Sequence, residues 1–175
     1  MNTCIRRLES AIGFELLFFC LLIGMDPINI PAQELLPHRK RMLLVERAVG
    51  FSPEVIRTES VIRPDNLFLI DSMLPAWCLL EYMAQTMAMW VHLNARKNNQ
   101  KPPVGFLLGT RRLNLNVDAI GVGSRLVCEA QPLLISEEGL AQFQCRALLN
   151  DQEVATARIN AFEPQDLAGF LKDLS

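Results

Sequence analysis

Pro75-Ala-Trp-Cys-Leu-Leu-Glu81-Tyr-Met-Ala-Gln85-Thr-Met-Ala-Met-Trp-Val-His92-Leu-Asn-Ala-Arg-Lys97 is the stretch on which the fold turns. Leu79, Leu80, Met83, Ala84, Met87, Ala88 and Val91 recur at helical spacing and cover most of a circumference. That pattern predicts one long, largely buried helix over residues 75–97. Pro75 suits a first helical position, and Ser72 or Asp71 lies close enough to cap it. Arg96 and Lys97 complement the helix dipole at the other end. Glu81 then sits in the second turn among apolar neighbours, with Gln85 one turn on to orient it by hydrogen bonding. Loss of hydration there favours a carboxylate that holds and hands on a proton. The helix start offers unpaired backbone N–H groups, and Ala76 has almost no side chain to block an approaching substrate oxygen. The same residues also fit a partly exposed glutamate beside a solvent-facing glutamine.

Working outward, the flanks read as strands. Met42 to Val49 is apolar enough for a buried strand, and Val55 to Arg63 is rich in β-branched residues between Pro53 and Pro64. Upstream, Ala32 to Leu36 could form one helical turn before Pro37. Beyond the helix, Val104–Asn116, Arg125–Ile135, Gly139–Leu149 and Glu153–Phe162 are divided by turn signals at Gly121-Val-Gly123, Ser136-Glu-Glu-Gly139 and Asn150-Asp151. Ala141, Phe143, Cys145, Ala147 and Leu149 alternate with polar partners, as a half-buried antiparallel strand should. Two strands, a buried helix and four more strands make an α+β pattern, most economically a sheet curled around the helix.

The chain has 175 residues, enough for one domain with a sizeable core and too few for two ordinary ones. It is 50% hydrophobic and 21% charged, a globular composition, and its formal net charge of −2 argues against general nucleic-acid binding. Residues 1–24 read differently. Arg6 and Arg7 precede the apolar run Leu16 to Met25, which at 10 uncharged residues is short of the ~20 that a membrane-spanning helix needs. A start-site artefact, with Met25 as the natural first residue, is the preferred reading; a membrane-associating segment and an export signal are the alternatives. A single domain is therefore expected over residues 25–175.

Few other chemistries find support. Cys4, Cys20, Cys78, Cys128 and Cys145 contain no C-x-x-C pair and, with only His38 and His92 to help, make no recognisable metal site. Reduced, packed thiols in a cytoplasmic protein fit them best. Cys78 lies near the helix start, but no adjacent histidine activates it. His92 shares a helical stripe with Glu81, yet eleven residues separate them by about 16 Å along the axis, so they form no dyad within one chain. No nucleophile elbow, phosphate loop or dinucleotide fingerprint is present.

Leu35-Leu-Pro-His-Arg39 with Met42-Leu-Leu-Val-Glu46 resembles the opening of β-hydroxyacyl-acyl-carrier-protein dehydratases of the FabZ type. Pro75-Ala-Trp-Cys-Leu-Leu-Glu81-Tyr-Met-Ala-Gln85 resembles their central helix, where a Pro-Gly pair precedes the catalytic Glu and Met-Ala-Gln follows it. Gly105-Phe-Leu-Leu-Gly-Thr-Arg111 with Leu74-Pro-Ala-Trp77 is more similar to the ApeP-type dehydratases of aryl-polyene clusters. The resemblance runs from about Leu35 to Phe162. It implies a hotdog fold and dehydration of 3-hydroxyacyl thioesters to trans-2-enoyl thioesters, in polyene or fatty-acid-like biosynthesis. It also implies a substrate borne on the phosphopantetheine arm of an acyl carrier protein, with no further cofactor. Glu81 matches the catalytic acid and the Ala76 N–H the oxyanion donor.

The departures matter as much. The offset of the FabZ-type catalytic His from its Glu lands here on Leu67, and no histidine lies between His38 and His92. Ala76 replaces the glycine of the Pro-Gly pair. Because the resemblance implies dimers with shared sites, the missing base is expected from a His-bearing ApeI-type hotdog subunit; the fallback is His38 of this chain, folded back towards the helix of its own subunit or of a partner. Arg111 and Arg112 are candidates for docking the acidic carrier, against a purely solubilising role. Two other functions stay open: an acyl thioesterase in which Glu81 activates water, and a non-catalytic scaffold subunit.

Overall fold

The computed structural model describes residues 24–173. Nine strands are present among them: β1 Asp26–Pro31, β2 Arg47–Phe51, β3 Ile56–Val61, β4 Met73–Pro75, β5 Phe106–Leu115, β6 Ala119–Gly121, β7 Arg125–Ile135, β8 Leu140–Leu149 and β9 Gln152–Phe162. The long helix, α1, is Leu79–Lys97, and a short α2, Leu167–Asp173, follows the last strand. Seven strands form one antiparallel sheet in the order β1-β2-β3-β7-β8-β9-β5, and β4 pairs with β6 beside it. This is the hotdog arrangement expected from the sequence, one antiparallel sheet packed against one long helix. The readings of residues 1–23, Cys4 and Cys20 included, lie outside the described residues.

The core follows from the periodicities. Leu79, Tyr82, Met83 and Met89 of α1 are fully buried against Ile56, Cys128, Phe143, Cys145 and Ile159 of the sheet. Trp90 meets Phe143 edge-on, with ring centroids 5.4 Å apart. Burying side chains of this size stabilises the fold by roughly 1.5–3 kcal/mol each. Asn150 and Asp151, at φ +50° and +62°, turn β8 tightly into β9. Pro132 sits where the β7–β8 register shifts, the kind of place where a strand tolerates a residue without an N–H.

Several boundaries differ from the sequence reading. Asp71 and Ser72 do not cap the helix: both have positive φ and turn a tight hairpin closed by reciprocal Ile70–Met73 hydrogen bonds of 2.9 Å. Pro75 ends β4, a single 3-10 turn at Ala76–Cys78 follows, and α1 begins at Leu79 without a side-chain cap. Glu81 therefore stands in the first turn. The strand expected over Met42–Val49 is displaced to Arg47–Phe51, with a 3-10 turn at Lys40–Met42 before it. Leu44 and Val45 are buried, but their N–H groups bond to a glutamine side chain on α1 instead of a neighbouring strand. β1, β4, β6 and α2 are too short or too Pro-rich to carry a period and went unread.

Candidate active site

α1 is buried along most of its length, yet Glu81, Ala84, Ala88, Val91 and His92 stay partly exposed. These positions fall on one helical face, and that face lines a groove of about 650 Å³. The opposite wall comes from the Leu35–Arg39 loop and from residues 102–107 leading into β5. The helix thus turns a carboxylate, two small alanines and an imidazole towards open space.

Gln85, fully buried, is the centre of the wall behind Glu81. Its Oε1 accepts the N–H groups of Leu44 at 3.0 Å and Val45 at 3.3 Å. Its Nε2 donates to Met42 O at 2.8 Å and Glu81 Oε1 at 2.9 Å. All the hydrogen-bonding capacity of a primary amide is nearly spent here, which fixes its orientation. The predicted Glu81–Gln85 contact is present, and Gln85 also pins the 42–45 loop to the helix. Glu81 itself is 31% exposed at its side chain, so its burial is only partial and its carboxylate meets the groove.

His38 reaches the same place from the other wall. Leu35 and Leu36 donate to Ala32 O, and Ala32 donates to Glu46 O, closing the turn before Pro37. The Arg39 guanidinium donates to Leu36 O and His38 O at 2.5 and 2.7 Å. This bracing sets His38 Nε2 3.9 Å from Glu81 Oε1, while His38 Nδ1 is buried without a hydrogen-bond partner among the described residues. The distance is too long for a hydrogen bond and leaves both groups free to address one substrate.

Ala76 is placed differently from the sequence expectation. It is buried, and its N–H donates to Asp118 O at 2.9 Å, in the β4–β6 corner. That donor is already satisfied and Ala76 does not line the groove, so it is not an open oxyanion site. Cys78 is buried, and desolvation pushes its thiol up to about 11, which suits a packed cysteine and not a nucleophile. Arg111 and Arg112 are exposed on β5, about 14 Å along the strand from the groove residue Leu107. His92 is a groove residue, not merely a helix-end one: its Nδ1 bonds to Leu35 O. Sequence reading missed the groove itself, although alanines three and seven residues after Glu81 were its available signal. No metal-holding group of His, Cys, Asp or Glu occurs among the described residues.

The model of one protein family, ApeP-like (ApeP dehydratase), matches residues 30–172. The chain belongs to the ApeP-like dehydratase family. Among solved structures, it is similar to the dehydratase heterocomplex ApeI:P of Xenorhabdus doucetiae, at 24% identity and a TM-score of 0.75. That match covers 83% of this chain and 98% of the other. A sigma28-regulated virulence protein of Campylobacter jejuni shares the fold at 9% identity and a TM-score of 0.60, covering 79% and 91% of the two chains. A hypothetical thioesterase of Streptococcus pneumoniae, solved with coenzyme A, shares it at 9% and 0.52, covering 66% and 83%. No curated protein matches the sequence. As an ApeP-like dehydratase with a hotdog fold, the chain carries its carboxylate and imidazole on one groove.

Proposed function

We propose that this chain dehydrates 3-hydroxyacyl thioesters of an acyl carrier protein to trans-2-enoyl thioesters, in polyene or fatty-acid-like biosynthesis in the cytoplasm. The observation that carries the reading is the approach of His38 to Glu81 at the mouth of an apolar groove. His38 Nε2 removes the α-proton, and the electron pair of that C–H bond becomes the new double bond. The C3–O bond breaks, and the hydroxyl leaves as water with a proton from Glu81. Proton return across the gap between His38 and Glu81 restores both groups for the next turnover. Gln85 holds Glu81 on the groove side throughout.

A His-bearing partner is the second reading, favoured by the heterocomplex nature of the Xenorhabdus dehydratase. Among the described residues the outer edge of β5 is unpaired, and Leu107 and Leu108 on it are exposed, so it offers an edge for a second hotdog subunit. Arg111 and Arg112 on the same strand would meet the acidic carrier. In this reading the partner supplies the base and His38 only lines the site.

Product analysis separates the candidates. Full-length protein, alone and with an ApeI-type subunit, is given 3-hydroxyacyl carrier protein. Enoyl product without thiol release supports dehydration; thiol release selects the thioesterase. Full activity of Glu81→Gln in the reconstituted pair selects the scaffold.

A further inference from the structure

Dehydration fixes which way a substrate lies. His38 and Glu81 address C2 and C3 of the acyl group, and beyond Glu81 the groove runs on past Ala84, Ala88 and Val91. The acyl chain takes that apolar course, so the thioester and all it is attached to must leave past the start of α1. Trp77 stands there, four residues before Glu81 and outside the groove proper. It is 56% exposed, a large aromatic surface left to water. The indole is nevertheless braced. Phe68 meets it edge-on with ring centroids 6.2 Å apart. Phe68 N–H donates to Asn66 Oδ1, and the buried Asn66 Nδ2 donates to the Tyr82 hydroxyl, each at 2.9 Å. The indole N–H makes no hydrogen bond among the described residues.

The same rim is basic. Arg41 Nε donates to Asp65 O at 2.7 Å and Arg63 donates to Leu43 O at 2.8 Å, which joins the His38 loop to the segment carrying Phe68. Residues 37–43 and 63–68 hold Arg39, Lys40, Arg41 and Arg63 against Asp65 alone. Asp65 pairs with Arg63 at 3.7 Å. The Lys40 ammonium and the terminal Arg41 nitrogens meet no carboxylate among the described residues.

Building on the dehydratase reading, we propose that this rim is the subsite for a phosphopantetheine arm, with Trp77 under its amides and Lys40 and Arg41 at its phosphate. The planar amides of the arm lie on the indole, whose N–H donates to an amide carbonyl. The two cations match a phosphate that emerges beyond the rim. The arm could be borne by a carrier protein or by coenzyme A, since both present the same amides and phosphate.

Binding tests this without turnover. Acyl-pantetheine, acyl-phosphopantetheine, acyl-coenzyme A and acyl carrier protein, all with one saturated acyl chain, are titrated into the full-length protein by calorimetry. The phosphate of acyl-phosphopantetheine should strengthen binding about tenfold over acyl-pantetheine at low salt, and the gain should vanish near ~1 M salt. Joint Lys40→Ala and Arg41→Ala substitution should remove that gain while acyl-pantetheine binds as before. Trp77→Ala should weaken every ligand about tenfold, and Trp77→Phe should restore most of the loss. In the unaltered protein, acyl-pantetheine should shield the exposed Trp77 from iodide quenching, a readout independent of how any variant folds; Trp90, at 4% exposure, is out of iodide's reach. Undiminished quenching, unchanged affinities in Trp77→Ala, a phosphate gain that is absent or survives the double substitution, or no binding at all would each overturn the proposal. With the subsite upheld, tighter binding of the carrier-borne arm than of acyl-phosphopantetheine makes the carrier its source, and tighter binding of acyl-coenzyme A makes it coenzyme A. Failure of the dehydratase reading is distinct: 3-hydroxyacyl substrates yield no enoyl product while the arm still binds.

Discussion

His38 Nε2 and Glu81 Oε1 stand 3.9 Å apart within one chain, one on a braced loop and the other in the first turn of the long helix. The groove is also lined by His92 and Glu34, but among the described residues His38 and Glu81 are its one imidazole–carboxylate pair within 4.0 Å. That approach brings an imidazole and a carboxylate of one chain within reach of one substrate in the groove.

If the pair works within one chain, His38→Gln and Glu81→Gln should each lower kcat for enoyl formation by about 10²–10⁴-fold. Mixing the two inactive variants should restore nothing, because neither chain then holds a complete pair. Activity recovered on mixing would place the base and the acid on different subunits.

Gln85→Ala should destabilise the protein as well as impair it. The substitution strips the acceptor from the buried Leu44 and Val45 N–H groups and releases Glu81. Leaving two buried donors unpaired costs about 2–4 kcal/mol, readable in the urea midpoint at unchanged m-value. A stability unchanged within error would show that water replaces the amide freely.

Ala88→Phe should discriminate by chain length. Ala88 lines the groove beyond Glu81, so a phenyl ring there obstructs long acyl chains and spares short ones. KM for long-chain substrates is expected to rise at least tenfold, roughly the effect of a 1–3 kcal/mol clash, with kcat for short chains retained. Equal losses for both lengths would move the acyl chain out of this groove.

The buried thiols make stability fall in alkali. Burial pushes Cys78 to about 11 and Cys145 to about 12, from an ordinary 9.0, so the folded protein keeps both neutral where the unfolded chain ionises them. Their contribution is fully present below 9.0 and is lost as pH rises through the window up to about 11–12. Urea midpoints should therefore drop as pH rises from 9.0 to about 11–12, and a Cys78→Ala, Cys145→Ala double variant should show a shallower drop. An identical slope in the variant would sink this account.

Where burial repeated with a period, the elements were legible. The α1 stripe predicts the helix, and the alternation from Phe143 to Ala147 predicts β8, because the side chains facing one core must recur with the geometry of the backbone. Glu81 and its contact to Gln85 are legible for the same reason, being one turn apart on one helix. The strand expected over Met42–Val49 begins only at Arg47, because Leu44 and Val45 are buried without being in a strand. The N–H groups of these two residues are satisfied by Gln85, a partner no local pattern reveals.

The sequence by itself determined an α+β chain with one buried helix, the carboxylate it presents and the amide that orients it, since these depend on local spacing. Only the tertiary structure decided which groups are still free. The Ala76 N–H, open by its place in the sequence, is taken by Asp118 O when β4 pairs with β6. His38, remote from Glu81 in the chain, is carried beside it by a loop tied to Ala32, Arg39 and His92. Contacts between distant segments are set by how the sheet closes on the helix, and that closure has no local period to be read.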